Sequence, residues 1–156
     1  SDMIVVMKLG VLQQIGKPQE VYDDPANLFV AKFLGTPPIN VFEGRVMGGM
    51  IYIGTDPVLE APGLQDQDVM IGIRPEGFIL DENGPMHCKP TNVEVMGRDV
   101  SVVSTNEASL NPLVRSIINA DNKIDLAKKT VTYAVKPHKF FLFNKETEER
   151  IRYEVK

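Results

Sequence analysis

Three groupings in this chain use residue types that do chemistry: a Gly-Lys step, an adjacent His-Cys pair and several close carboxylate pairs. A loop that cradles phosphates on backbone N–H groups needs Gly, four residues, Gly-Lys, then Ser or Thr. Gly16-Lys17 is the one Gly-Lys step, but Val11 stands at the first glycine position and Pro18 at the hydroxyl position, so the motif fails. Gly48, Gly49 and Gly54 do not give a dinucleotide spacing either. His87 and Cys88 are metal-ligating types, yet strand neighbours point to opposite faces, and no second such pair completes four ligands. A nucleophilic Cys88 would need a basic partner that the sequence does not name, so an ordinary semi-buried thiol is expected. His138 follows Pro137 in a turn and reads as exposed. Asp23-Asp24, Asp66/Asp68, Asp81-Glu82 and Glu148-Glu149 could serve as acid and base. All sit beside turn residues or helix ends, where carboxylates act in solvation and capping. No catalytic, cofactor-binding or metal-binding residue is assigned.

The 156 residues suit one medium domain or two small ones, and 43% hydrophobic with 24% charged residues is a globular composition. The net charge is −4. Residues 41–120 carry 5 basic and 11 acidic groups, while residues 121–156 carry 9 and 6. Nucleic-acid and anionic-membrane binders are normally basic, and Arg and Lys are scattered here without Trp, so neither role is expected. Cys88, the single cysteine, excludes an intramolecular disulfide. The longest apolar runs, Met3–Met7 among them, are too short to span a bilayer. A cytoplasmic address is expected.

These residues have to be positioned by local elements. Met3–Met7 and Val11–Ile15 flank Gly10 as a hairpin, and the unbroken apolar run predicts a strand buried on both faces. Gly16–Asp23 reads as a short helix with Pro18 in its first turn. Asp24 reads as the N-cap of a second helix with Pro25 at its first position. On that helix Ala26, Phe29, Val30, Phe33 and Leu34 share a face, with Leu28 the exception, and Gly35 with Pro37-Pro38 ends it. Beyond Ile39 the period changes to two. Val69/Ile71/Ile73, Val131/Tyr133/Val135 and Ile151/Tyr153/Val155 each mark one buried strand face. Val41–Met47, Met50–Gly54, Asn92–Met96, Val100–Thr105, Leu113–Ile118 and Phe140–Phe143 are further strands, with Gly48-Gly49 turning between the first two. The expectation is a mainly β chain: a small barrel preceded by a hairpin and two short helices, with a boundary at Thr36–Asn40.

The stretches Asp2–Met7, Gly10–Gly16, Pro18–Tyr22 and Pro25–Gly35, then Pro37-Pro38-Ile39-Asn40, resemble ATP-binding proteins of ABC importers just after their catalytic half. The likeness is strongest to the maltose, multiple-sugar and glycerol-phosphate importers. Gly72-Ile73-Arg74-Pro75-Glu76 is similar to a signature of their C-terminal domain, and Val95–Gly97 and Val135–Phe143 fall where that family has similar segments. The resemblance implies that residues 1–39 are a C-terminal remnant of the ATPase domain. It implies that residues 40–156 form an OB-like regulatory and dimerisation domain. The nucleotide motifs would then lie upstream, so this fragment would hold no cofactor of its own, with ATP and Mg belonging to the parent. Expected partners are a second copy, permease subunits and a regulatory protein, at the inner face of the membrane. Gly72, Arg74, Pro75 and Glu76 are the candidate site residues, either a turn satisfying its own loop or a contact across the dimer. The alternative class is a barrel that binds a small ligand or oxyanion, which requires converging backbone N–H donors or Arg and Lys. A hairpin without a larger sheet would expose its edges, so it is expected to pair with another copy or fold back on the barrel.

Overall fold

The computed structural model describes residues 2–119, 121 and 124–154. Strand outweighs helix, 51% to 12%, so the chain is mainly β as expected. It opens with a hairpin, β1 (Ile4–Lys8) and β2 (Val11–Gly16), followed by helices α1 (Pro18–Asp23) and α2 (Leu28–Phe33). Leu9 and Gly10 turn the hairpin with φ of 50° and 79°. Positive φ at both positions is the type I′ form of a two-residue connection, which matches the strand twist.

The remaining strands make two antiparallel sheets. One contains β3 (Asn40–Met47), β4 (Met50–Ile53), β5 (Asp56–Glu60), β6 (Gln67–Ile73), β12 (Phe140–Asn144) and β13 (Arg150–Ile151), in the order β13-β12-β6-β3-β4-β5. The other contains β7 (Phe78–Leu80), β8 (Met86–Met96), β9 (Asp99–Thr105), β10 (Val114–Asn119) and β11 (Val131–Val135). Its order is β10-β9-β8-β11-β7, a nearly closed five-stranded barrel. The main core lies between the sheets. Phe42, Ile51, Ile71, Ile73 and Leu142 from one meet Phe78, Met86, Val114 and Tyr133 from the other. The buried half of the period-two reading holds: Val69, Ile71 and Ile73 are buried, as are Val131, Tyr133 and Val135, but the other face of β6, expected to be wet, is covered at Gly72, and Arg74 just beyond it is buried too.

A second cluster forms where α2 lies on the opposite face of the six-stranded sheet, with Leu28 and Ala31 against Ile39, Val41, Phe141 and Phe143. Gly72 permits this approach, because a Cβ there would stand 2.8 Å from Ile39 Cδ1. Four expectations are corrected. The α2 cap is Asn27, whose side chain accepts from Val30 N at 2.9 Å, and not Asp24. The helix is covered on two sides, so Leu28 and Ala31 are buried against the sheet and Val30 against the hairpin, while Phe33 is 58% exposed. β1 is not buried on both faces: Val6 is covered by Val21 and Val30, while Met3, Val5 and Met7 are 57%, 50% and 51% exposed. The hairpin's covered face thus rests on the two helices rather than the barrel. The last strand is confined to Arg150–Ile151, and Val155 and Lys156 of the expected strand lie outside the described residues.

Candidate functional site

Arg74 directly follows the central strand β6, and Pro75 begins the tight turn Pro75–Gly77. The residue before a proline is driven to extended backbone, and Arg74 has φ −61° and ψ 148°. This carries its side chain off the sheet and into the helices. Nη1 donates to the carbonyls of Ala31 at 2.8 Å and Leu34 at 3.1 Å. Nη2 donates to the Tyr22 carbonyl at 2.7 Å. All three acceptors lie in or just past the last turns of α1 and α2, where carbonyls have no partner within the helix. The guanidinium is fully buried, with Tyr22 and Phe141 rings on it at 3.9 and 5.7 Å. Burial lowers its pKa, and the neighbouring Tyr22, Glu76 and Asp23 oppose that shift. A guanidinium remains charged all the same.

Glu76, two residues on, faces the same helix. The Tyr22 hydroxyl donates to Glu76 Oε2 at 2.6 Å, and Lys139 Nζ lies 3.4 Å from that oxygen and 3.5 Å from Asp23. Burial alone would push the Glu76 carboxyl up. The Tyr22 hydroxyl, the backbone N–H of Glu76 and Lys139 together hold it below the usual carboxylate range. Burial and the Glu76 contact push the Tyr22 hydroxyl far up, so it stays a donor. Arg74 and Glu76 therefore do not satisfy each other inside one turn; both bind the helices, and Arg74 keeps no open surface.

A second attachment runs from the far end of the chain. Arg150 and Arg152 each place Nη1 2.9 Å from Asp24 Oδ1, and Arg150 also donates to the Pro25 carbonyl at 2.9 Å. The Arg152 hydrogen bond above all holds the Asp24 carboxyl below its ordinary range. Backbone bonds from Leu28 N to Glu148 O and from Arg150 N to Ala26 O flank this pair. Gln14 ties the hairpin in, donating to Asp24 O and accepting from Ala26 N. Tyr22, Lys139 and Arg150 escaped the sequence reading, because partners 54 and 126 residues apart leave no local spacing to read.

The other candidates are dispersed. His87 is exposed and Cys88 buried, on opposite faces of β8 as strand geometry requires. His138 is exposed, as expected. Asp56 accepts from His87 N at 2.9 Å, with His87 Nδ1 3.1 Å from its other oxygen. Asp66 accepts from Gly48 N, Asp68 faces Arg45 at 3.8 Å, and Asp81 accepts from Asn83 N. Among the described residues no group of three or more His, Cys, Asp or Glu is placed to hold a metal. Val11 and Pro18 occupy the flanking positions, so the Gly16-Lys17 step is not a phosphate loop. No helix among the described residues is long and apolar enough to cross a membrane.

No protein-family model matches the chain. Curated relatives do. The oligosaccharides import ATP-binding protein MsmX of Bacillus subtilis is 35% identical, covering 97% of this chain and 45% of that protein. The osmoprotective compounds uptake ATP-binding protein GgtA of Synechocystis is 31% identical, again covering 97% and 45%. The sn-glycerol-3-phosphate import ATP-binding protein UgpC of Jannaschia is 37% identical over 62% of this chain and 28% of its own. The chain spans less than half the length of these relatives.

Proposed function

The chain belongs with the ATP-binding proteins of sugar-type and glycerol-phosphate-type ABC importers, and from that membership we propose that it is a non-catalytic regulatory and dimerisation part of such a subunit. On this reading residues 1–39 close an ATPase half and residues 40–156 are its barrel appendage. The observation that carries it is Arg74. A regulatory appendage acts on a catalytic half only if a shift in one moves the other. The buried guanidinium, held by carbonyls at the ends of both helices, makes barrel and helices one mechanical piece.

The exposed outer face of the hairpin supports the same reading. Met3, Val5, Met7, Leu12 and Ile15 are half or more exposed, and Val5 pairs with Ile15 and Met7 with Leu12 across the strands. A continuous apolar face of this kind marks a surface that another part of a protein covers. In the whole subunit, two barrels would hold two ATPase halves at high effective concentration between cycles. Permease subunits and a regulatory protein would be the other partners, at the cytoplasmic face of the membrane. ATP and Mg would bind the upstream half.

Sedimentation velocity over a concentration series tests the reading. A reversible dimer is expected, and it should persist when Val5→Glu and Met7→Lys make the hairpin face polar. A dimer lost in that variant, a strict monomer at every concentration, or Mg-dependent ATP hydrolysis by the chain itself would overturn it.

A further inference from the structure

A cleft of about 520 Å³ opens at the meeting of the two sheets, remote in sequence from the Arg74 seam. Its walls are the β4–β5 turn with Asp56, the start of β8 with His87 and Lys89, and the end of β9 with the turn that follows. Thr130 stands at its rim. We propose that this cleft binds a small neutral polyhydroxylated molecule, of the mono- or disaccharide class.

The walls are fixed before any ligand arrives. Asp56 holds His87 through both the backbone N–H and the ring. Asn106 donates to the His87 carbonyl at 2.9 Å and accepts from Ala108 N at 2.8 Å. Glu43 N on β3 in turn donates to the Ala108 carbonyl at 2.9 Å. The volume lies within the roughly 300–1,000 Å³ of small-molecule sites.

The groups left over select the ligand. A carboxylate only accepts, so His87 Nδ1 is the donor to Asp56. Lys89 and Glu107 form no ion pair, and the Thr105 and Thr130 hydroxyls no hydrogen bond, among the described residues. The lining thus offers acceptors at Asp56 and Glu107, a donor at Lys89, and hydroxyls that do both. A sugar hydroxyl also does both, and is satisfied by such a mixture. An oxyanion would meet two carboxylates against one ammonium, which disfavours it. Among the described residues no Phe, Tyr or Trp lines the cleft to stack a flat heterocycle. Ala108, partly exposed, supplies an apolar contact for the C–H face of a sugar ring, above the buried Ile53 and Cys88.

The test is a ¹H–¹⁵N NMR titration of the whole chain with glucose, maltose, glycerol and sulfate. Saturable shifts with glucose or maltose, confined to residues 53–56, 87–89, 105–108 and 130, are expected. Lys89→Gln and Glu107→Gln alter exposed side chains without partners and should leave the fold intact, while weakening binding about tenfold or more. Asp56→Asn, which keeps an acceptor for His87 N, should do the same if its spectrum remains folded. Shifts with sulfate alone, no saturation by glucose or maltose up to about 50 mM, or equal affinity in both glutamine variants would overturn the proposal. None of these results bears on the dimer measurement above.

Discussion

The Arg74 guanidinium carbon lies 3.9 Å from the centre of the Tyr22 ring, and Arg74 Nη2 donates to the carbonyl of that same tyrosine at 2.7 Å. One helical residue thus meets one buried cation with both its π face and its backbone. Among the described residues the charge has no carboxylate in contact; carbonyl dipoles and aromatic faces stabilise it instead. Such a site is intolerant of change on either side, because removing the cation leaves three buried or part-buried carbonyls without their donor.

Arg74→Met is expected to cost about 3–5 kcal/mol, since it leaves the Tyr22, Ala31 and Leu34 carbonyls without their donor. Arg74→Lys should recover only part of this, because a point ammonium cannot reach three divergent acceptors as a planar fork does. Urea denaturation gives the magnitudes. Limited proteolysis should show residues 17–36 cut first in either variant while the barrel resists. Equal protection of the helices would sink the attachment role.

Glu76 makes part of the stability depend on pH. Its carboxyl is held below the ordinary range in the folded chain, so its contribution is present above the unfolded carboxylate pKa. That contribution is lost as pH falls through the lower, folded value. Glu76→Gln should therefore flatten the acid limb of the stability profile and leave the slope above neutrality unchanged. Tyr22→Phe should flatten the same limb less, because Lys139 still faces Glu76 at 3.4 Å. Unfolding midpoints from pH 3 to 8 measure both; parallel acid limbs for wild type and Glu76→Gln would refute the assignment.

The two faces of β1 should respond in opposite ways. Val6 is fully buried against Val21 and Val30, so Val6→Ala is expected to cost about 1.5–3 kcal/mol. Val5→Thr, on the open face, should change stability by no more than about 0.5 kcal/mol. Chemical denaturation separates the two. A large cost at Val5 would show that its face is covered in the isolated chain.

The strand set was readable because a one-sided strand writes its own period: Val131, Tyr133 and Val135 announce the core face of β11 without reference to a partner. The Gly48-Gly49 turn is equally local. The start of α2 was misread because Asp24 and Asn27 are both good caps and lie three residues apart. Only the Arg150 and Arg152 contacts, which draw Asp24 away, decide between them. The burial of β1 was misread because an apolar run specifies that a face can be covered, not that it is. For the site, sequence pointed to Arg74 and Glu76 but gave them the wrong partners, since Tyr22, Ala31 and Leu34 stand 40 to 52 residues away in the chain.

Cys88 should be nearly inert in the folded chain, although it lines the cleft. Burial pushes its thiol up to about 11, against smaller opposing effects of Ser104 and Asn106. At pH 8 only about one molecule in a thousand then carries the reactive thiolate. The side chain is also 2% exposed, so access is limited as well as ionisation. Iodoacetamide at pH 8 is expected to modify it very slowly in the folded chain, with the rate rising steeply on adding urea. Raising the pH toward 10 should accelerate the reaction in the folded state about tenfold per unit, because the thiolate fraction is still far from saturation. A rate already flat between pH 8 and 10 would mean that the thiol is ionised, contrary to a site closed by Met86, Tyr133 and the rest of the inter-sheet core.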